Sequence, residues 1–320
     1  KLKIEKKEFE LKATRSGAGE GLVEAGEKHQ NLFVLSADLT ESVKVDRFKE
    51  AFPDRFVQLG VSEQSLAAIG AGMAMSGART VLASYAAFSP GRSWEQVKTT
   101  IAIQNANVLI LGGHTGVTVG PDGATHQMLE DIAIMRVLPN MTVLAPADAN
   151  EAHSAVLAAL KHDGPVYLRL TRPKTPVFLP KKSFTIGKAS VLKEGNDLAI
   201  IACGPLVHSA LLAAEDLESE GISTRVINMS SIKPLDEEAV LAAAKDCGAI
   251  LTVEEAQVAG GLGGVVAEFL AENHPTPMLR MGIMDRYGES GEPDELLEHF
   301  KLTPKDIKAS ALRLHNKTRR

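Results

Sequence analysis

Three segments and a scattered set of arginines hold residues whose types and spacing could do chemistry. In LGVSEQSLAAIGAGMAMSGA (59–78), Glu63 follows an apolar run and opens a stretch of alanines and glycines. A carboxylate at a helix start ordinarily complements the helix dipole. Sunk into the close contact that such a small-sided helix permits, it would have a raised pKa and could share a proton with a heterocyclic nitrogen. In ASYAAFSPGRSWEQVK (83–98), Tyr85 and Phe88 stand three apart in a chain with one Trp, three Tyr and ten Phe. They suit either ordinary core filling or a platform for a planar ring. GGHTGVTVGPDGATHQMLED (112–131) packs His114, Asp122 and His126 among glycines. Their spacing matches no common metal motif such as H-E-x-x-H. Neutral histidines can bond sugar hydroxyls and developing alkoxides, and glycines let backbone approach a ligand. Four arginines complete the set: Arg15, Arg92, Arg169 and Arg172. Each is by default a solvated charge, but Arg172, ending a strand, could clamp an anion bidentately.

The elements that must position these residues follow from the apolar pattern. LFVLSADL (32–39), FVQLG (56–60), TVLASY (80–85), NVLILGGH (107–114), MTVLAPAD (141–148) and PVYLRLTR (165–172) read as strands apolar on both parities. Such strands are covered on two faces. Helix-length stretches at 63–77, 90–105 and 149–162 separate them, which predicts a parallel sheet flanked by helices. Asp38, Glu63, Tyr85, Phe88, His114 and Arg172 then fall at the carboxyl ends of strands, where open parallel sheets bind ligands. PKTPVFLPKKSFTIGK (173–188) breaks the pattern, and strand–helix alternation resumes at DLAIIACG (197–204). The expected fold is therefore α/β, with two domains, each a mainly parallel sheet flanked by helices. The expected divisions are 10–175, a linker at 176–189, and 190–320. The tail LRLHNKTRR (312–320) is expected to fray.

Composition narrows the function class. The chain has 320 residues, 44% hydrophobic and 23% charged, with a formal net charge of −5. These values fit a globular protein and disfavour nucleic acid or an anionic membrane as the main partner. Cys203 and Cys247 supply neither a disulfide framework nor a C-x-x-C pair. No apolar run approaches the ~18 residues of a membrane span. The start, KLKIEKKEFELKATR, has no apolar signal core and no initial Met, consistent with processing or trimming. A soluble, cytoplasmic protein is expected. There is no G-x-G-x-x-G after a strand, no Walker A sequence and no Gly-Asp-Gly, and GGLGG (260–264) has the wrong spacing for a dinucleotide fingerprint.

Taken together, ATR (13–15), SADLTES (36–42), GVSEQ (60–64), Tyr85 with Phe88, GGHTGVTVGPDGATHQ (112–127), LPNMTVLAPADANE (138–151), LTR (170–172), EEAQVAGGLGG (254–264) and DRYGESGEPDELL (285–297) resemble the transketolase family. The resemblance runs from about residue 13 to residue 308 and is to the pyrimidine-binding and C-terminal domains. It implies a thiamine diphosphate enzyme that moves a two-carbon ketol unit between sugar phosphates. Glu63 matches the glutamate that hydrogen-bonds the pyrimidine nitrogen and favours the imino form that takes the thiazolium proton. The cofactor supplies the carbanion chemistry and the protein tunes it. Phe88, with Tyr85 beside it, matches the ring stacked on the pyrimidine, and Asp38 matches a residue near the cofactor pocket. His114, Asp122 and His126 match contacts to substrate hydroxyls, with His126 also placed for proton transfer. Arg15, Ser42 and Arg172 match the substrate phosphate site.

Departures from the family pattern are informative. Gln64 stands where many single-chain transketolases have His, Ile134 where they have another His, and Arg92 has no clean counterpart. Single-chain transketolases are about twice as long, with an N-terminal domain that binds the diphosphate through Mg²⁺. That domain has no equivalent in this sequence, and nothing here supplies the oxygen nest Mg²⁺ requires. The resemblance thus implies the C-terminal subunit of a split transketolase, active with an N-terminal partner subunit in a heterotetramer. The competing readings are a 1-deoxyxylulose 5-phosphate synthase-like chain, a 2-oxoacid dehydrogenase beta subunit and a non-catalytic regulatory subunit.

Overall fold

A computed structural model gives the fold, and it describes residues 8–318. The first half runs β1 (Leu11–Lys12), α1 (Thr14–Lys28), β2 (Leu32–Ser36), α2 (Asp46–Ala51), β3 (Phe56–Gln58), α3 (Glu63–Met75) and β4 (Arg79–Tyr85). It continues through α4 (Trp94–Gln96), β5 (Val108–Gly113), α5 (Asp131–Arg136), β6 (Thr142–Leu144), α6 (Ala149–Ala159), β7 (Val166–Arg169) and β8 (Thr175–Pro176). The second half comprises β9 (Ser190–Lys193), β10 (Leu198–Ala202), α7 (Leu206–Ser219), β11 (Thr224–Asn228), β12 (Ser231–Lys233), α8 (Glu237–Cys247), β13 (Ile250–Gln257), α9 (Leu262–Asn273), β14 (Met278–Ile283), α10 (Pro293–His299) and α11 (Pro304–Thr318).

Seven strands form the first sheet in the order β12-β6-β7-β5-β4-β2-β3, and five form the second in the order β14-β13-β10-β11-β9. Within each sheet every pairing is parallel except at one edge, where β12 meets β6 and β9 meets β11 antiparallel. The alternating strand–helix pattern dictates this, because parallel neighbours need crossover helices that cover both faces. Strands β5 and β10 are buried at every residue, as their uniformly apolar sequences require. On one face of the first sheet α1 lies against α6 at backbone distance. A Cβ on Gly17 would sit 1.9 Å from the Ala149 carbonyl oxygen, so this approach requires glycine.

The two sheets share one apolar core. Leu66 and Ala71 of α3, Ile132 and Met135 of α5, Ile201 of β10 and Val240 of α8 belong to one continuous buried cluster. Strand β12, which follows β11 in the chain, leaves the second sheet and closes the edge of the first. The proline- and lysine-rich stretch between the sheets is packed along its first half. β8 pairs with β1, and the Phe178 and Leu179 amides donate to Asp148 Oδ2 at 2.9 and 2.7 Å.

Two expectations change. The tail does not fray as far as it is described: α11 continues to Thr318, with Leu314 and His315 buried, and residues 319–320 lie outside the described residues. The helix expected over 90–105 is shorter, with α4 widening into a π-helical segment at Val97–Ala102. Among the described residues no helix is long and apolar enough to cross a membrane.

Candidate active site

At the carboxyl ends of β2, β4, β5 and β7, most of the residues singled out in the sequence meet in one chain of contacts. Glu63 is the first residue of α3, placed there by the Gly60–Ser62 turn after β3, and its side chain is 1% exposed. Arg92 Nη1 donates to Glu63 Oε2 at 2.7 Å, and the Arg92 guanidinium lies over the Phe88 ring, 4.6 Å from its centroid. Phe88 stacks with Tyr85 at 6.0 Å and meets His126 edge-on at 5.5 Å. Tyr85 stacks on His114, with centroids 3.7 Å apart and planes 23° apart. Arg15 Nη1 lies 3.3 Å from His114 Nε2 and donates to the Ser42 carbonyl at 2.5 Å. Arg172 Nη1 stands 3.9 Å from Asp122 Oδ1 and donates to the Val119 carbonyl.

The electrostatics follow from this crowding. His114 is buried, and with Arg15, Arg172 and His126 close by, its ring is pushed down from the usual 6.5 to about 3. It is therefore a neutral imidazole across the physiological range, able to donate from one nitrogen and accept at the other. Burial, and then Arg172, lower Arg15 in the same way. His114 Nδ1 and Arg15 Nε are buried with no hydrogen-bond partner among the described residues. Buried polar atoms of this kind ordinarily find one. A cluster that combines unpartnered polar atoms, a buried carboxylate and a half-exposed aromatic pair suits a planar, nitrogen-bearing group with an oxygen-rich substrate beside it. Glu63, Phe88 and Tyr85 are the residues that could hold that planar group.

Not every candidate joins the cluster. Asp38 sits in the left-handed region (φ 61°) at the end of β2, exposed, and its amide donates to Gln58 Oε1 at 2.8 Å. Its contacts do not connect it to the Tyr85–His114 stack. Asp122 is exposed and pairs with Arg172 at 3.9 Å. Arg169, expected to be a solvated charge by default, is buried instead. Its Nε donates to Asp131 Oδ2 at 2.8 Å, beside the Tyr167 hydroxyl on the same oxygen, and its Nη2 donates to the Glu255 carbonyl. The strand that carries it is covered on both faces, so a charge there is tolerated only when paired. Arg92, unassigned in the sequence, is the ion-pair partner of Glu63. Nothing in its spacing announced that, because a strand-end loop brings it there. Among the described residues no group of three His, Cys, Asp or Glu could hold a metal ion.

The glycines around His114 and Asp122 have a different neighbour from the one expected. A Cβ on Gly116 would meet Glu255 Oε1 at 2.1 Å, and one on Gly123 would meet Ser290 Oγ at 2.5 Å. The close approach they permit is to the second domain.

Residues 11–177 match the family model described as transketolase, pyrimidine binding domain, and residues 187–307 match transketolase, C-terminal domain. The chain belongs to the transketolase family. It is 43% identical to a protein of Methanocaldococcus jannaschii described as a transketolase C-terminal section, over 92% of this chain and 94% of that one. A 6-deoxy-6-sulfo-D-fructose transketolase subunit of Clostridium sp. is 42% identical, over 91% and 90% of the two chains. Among solved structures, a split gene transketolase in the form of an inactive β4 tetramer superposes with a TM-score of 0.90 at 41% identity, covering 96% of this chain and 99% of that one. This transketolase chain thus matches proteins of its own length that are themselves named as sections or subunits.

Proposed function

We propose that this chain is the C-terminal subunit of a split, thiamine diphosphate-dependent transketolase that transfers a two-carbon ketol unit between ketose and aldose sugar phosphates. The observation that carries the reading is the unbroken contact chain from the buried Glu63, through Arg92, Phe88 and Tyr85, to the neutral His114 and Arg15. The cofactor, when bound, supplies a nucleophilic carbon that accepts and releases the two-carbon unit. Glu63, buried and bonded to Arg92 through Oε2, would offer its carboxylate to a hydrogen bond at the pyrimidine nitrogen. Phe88, with Tyr85 beside it, lies against the ring, and Asp38 flanks the pocket. His114, kept neutral by burial, exchanges hydrogen bonds with sugar hydroxyls, and Asp122 orients them. His126, held by Thr125 Oγ1 at 2.9 Å from its Nδ1, moves a proton at the substrate oxygen. Arg15 and Arg172, with Ser42 between loop and helix, bind the terminal phosphate. An anion-binding pair of this kind also suits a sulfonate, in keeping with the substrate named for the Clostridium subunit.

The diphosphate and Mg²⁺ are assigned to an N-terminal partner subunit, with two chains of each kind in a cytoplasmic heterotetramer. Supporting this, Val61 just before α3, and Ile69 and Met75 on α3 away from its buried Glu63 face, are exposed at 72%, 42% and 63%. Such a patch beside a site is suited to cover by another subunit. The test is conversion of xylulose 5-phosphate plus ribose 5-phosphate by the reconstituted complex, comparing the native chain with Glu63→Gln. Activity should fall about 10²–10⁴-fold with assembly intact. Undiminished turnover in the variant would overturn the mechanism, and turnover of pyruvate with glyceraldehyde 3-phosphate instead would move the chain to the synthase reading.

A further inference from the structure

Among the described residues the second domain contributes no side chain to the Glu63–His114–Arg15 contact chain, yet it grips the segment that carries His114, Asp122 and His126. Thr118 donates to Glu255 Oε1 of β13 twice, from its amide at 2.8 Å and its hydroxyl at 2.7 Å. Gln127 Nε2 donates to the Glu289 carbonyl at 2.8 Å, and within the segment to the Val117 and Gly120 carbonyls at 3.0 and 3.2 Å. Glu255 and Gln127 are both buried. Contact is so close that side chains are excluded on both sides. A Cβ on Gly288, in the second domain, would lie 1.7 Å from Gln127 Oε1, just as Gly116 and Gly123 leave no room against Glu255 and Ser290.

The first domain holds this segment chiefly at its root, through Thr115 N to Leu170 O and Gly116 N to Met128 O, and at Val119, where Arg172 Nη1 donates to the carbonyl. Between His114 and Gln127 the backbone otherwise makes turn-type bonds, Gly120 N to Val117 O, Gly123 N to Gly120 O, and His126 N and Gln127 N to Gly123 O. Its backbone turns four times through positive φ, at His114, Gly116, Gly120 and Gly123. Such turns fix local shape but not where the lobe stands over the sheet. His114 is rooted at the end of β5, whereas Asp122 and His126 lie out along the lobe, where the bonds to the second domain attach.

We infer that the second domain is a positioning device for the sugar site: Glu255 through Thr118, and the 284–292 loop through Gln127, set where Asp122 and His126 stand. Gln127, Thr118 and Gly288 are thereby positioning residues that determine sugar affinity without touching the sugar. The inference rests on the reading that these side chains contact the substrate. Catalytic groups must be held to a fraction of an ångström, and a 1 Å displacement costs on the order of 10²-fold.

The experiment uses the reconstituted enzyme with Gly288→Ala, Gln127→Ala and the pair. The new methyl of Gly288→Ala strikes the Gln127 amide, and the sugar phosphate KM should rise about 10-fold, with a smaller loss in kcat. Thiamine diphosphate affinity, measured by calorimetric titration, should stay within about 2-fold, because Glu63 and Phe88 lie outside the gripped segment. In the Gln127→Ala background the target of the clash is gone, so adding Gly288→Ala should raise KM no further. Thr118→Val, which removes one donor to Glu255 without changing side-chain size, provides a second route to the same KM rise should Gly288→Ala fail to assemble. An unchanged KM in an assembled variant, or effects that simply multiply in the pair, would overturn the inference. Absence of ketol transfer in the native complex would instead sink the reading on which it rests.

Discussion

His114 is the side chain whose state its surroundings set most firmly, and it gives the residue-scale prediction. The folded chain refuses a proton at His114 until about pH 3, whereas the unfolded chain accepts one near 6.5. Its contribution to stability is therefore full above pH 6.5 and is lost as pH falls from there toward 3. Between pH 6.5 and 4.5 the loss should be roughly 2–3 kcal/mol. Urea titrations at those two pH values, on the native chain and on His114→Asn, should show a smaller gap in the variant; an equal gap would mean His114 does not carry the effect. At this scale much was legible beforehand. Glu63, Phe88, Tyr85, His114, His126 and Arg15 were singled out by type and spacing, and the structure brings them together. The Arg92–Glu63 pair was not legible, because which of several loop arginines faces a buried carboxylate depends on the loop's path. Asp38 lies at the expected strand end, but apart from the cluster.

At the scale of elements, strands β2, β4, β5, β7 and β10 were readable because burial on two faces demands largely apolar runs. β1, β8, β9 and β12 were not. They are two to four residues long, pair antiparallel at edges, and carry no pattern that distinguishes them from loops. Arg169 shows the same limit from the other side: an arginine in YLRLTR reads as surface charge until its neighbours are known. Its guanidinium neutralises the seam where β7 meets the second domain, beside the buried Asp131, Glu254 and Glu255. Burial raises Glu255 and drives Glu254 up to about 7, even though the Leu262 and Gly263 amides donate to Glu254. Arg169→Leu would strand Asp131 without its counter-ion, and a loss of about 3–5 kcal/mol is expected in a urea titration. A loss below about 1 kcal/mol would show that the seam does not depend on this charge.

The whole molecule is two sheets joined by a common core, with the intervening segment strapped along its surface and β12 stitched into the neighbouring sheet. The sequence made the two α/β units plain, but not the shared core, since apolar residues on α5, α8 and β10 carry no mark of which sheet they face. That shared core is what the proposed positioning role of the second domain requires. Val61, just before α3, and Ile69 and Met75 on it remain exposed. The central claim is that this chain holds half of a transketolase site and works only when an N-terminal subunit supplies the other half. The most direct test is ketol transfer from xylulose 5-phosphate to ribose 5-phosphate, with thiamine diphosphate and Mg²⁺, by this chain alone and mixed with the partner. Turnover in the mixture and none in either chain alone is the predicted result; turnover by this chain alone would contradict it.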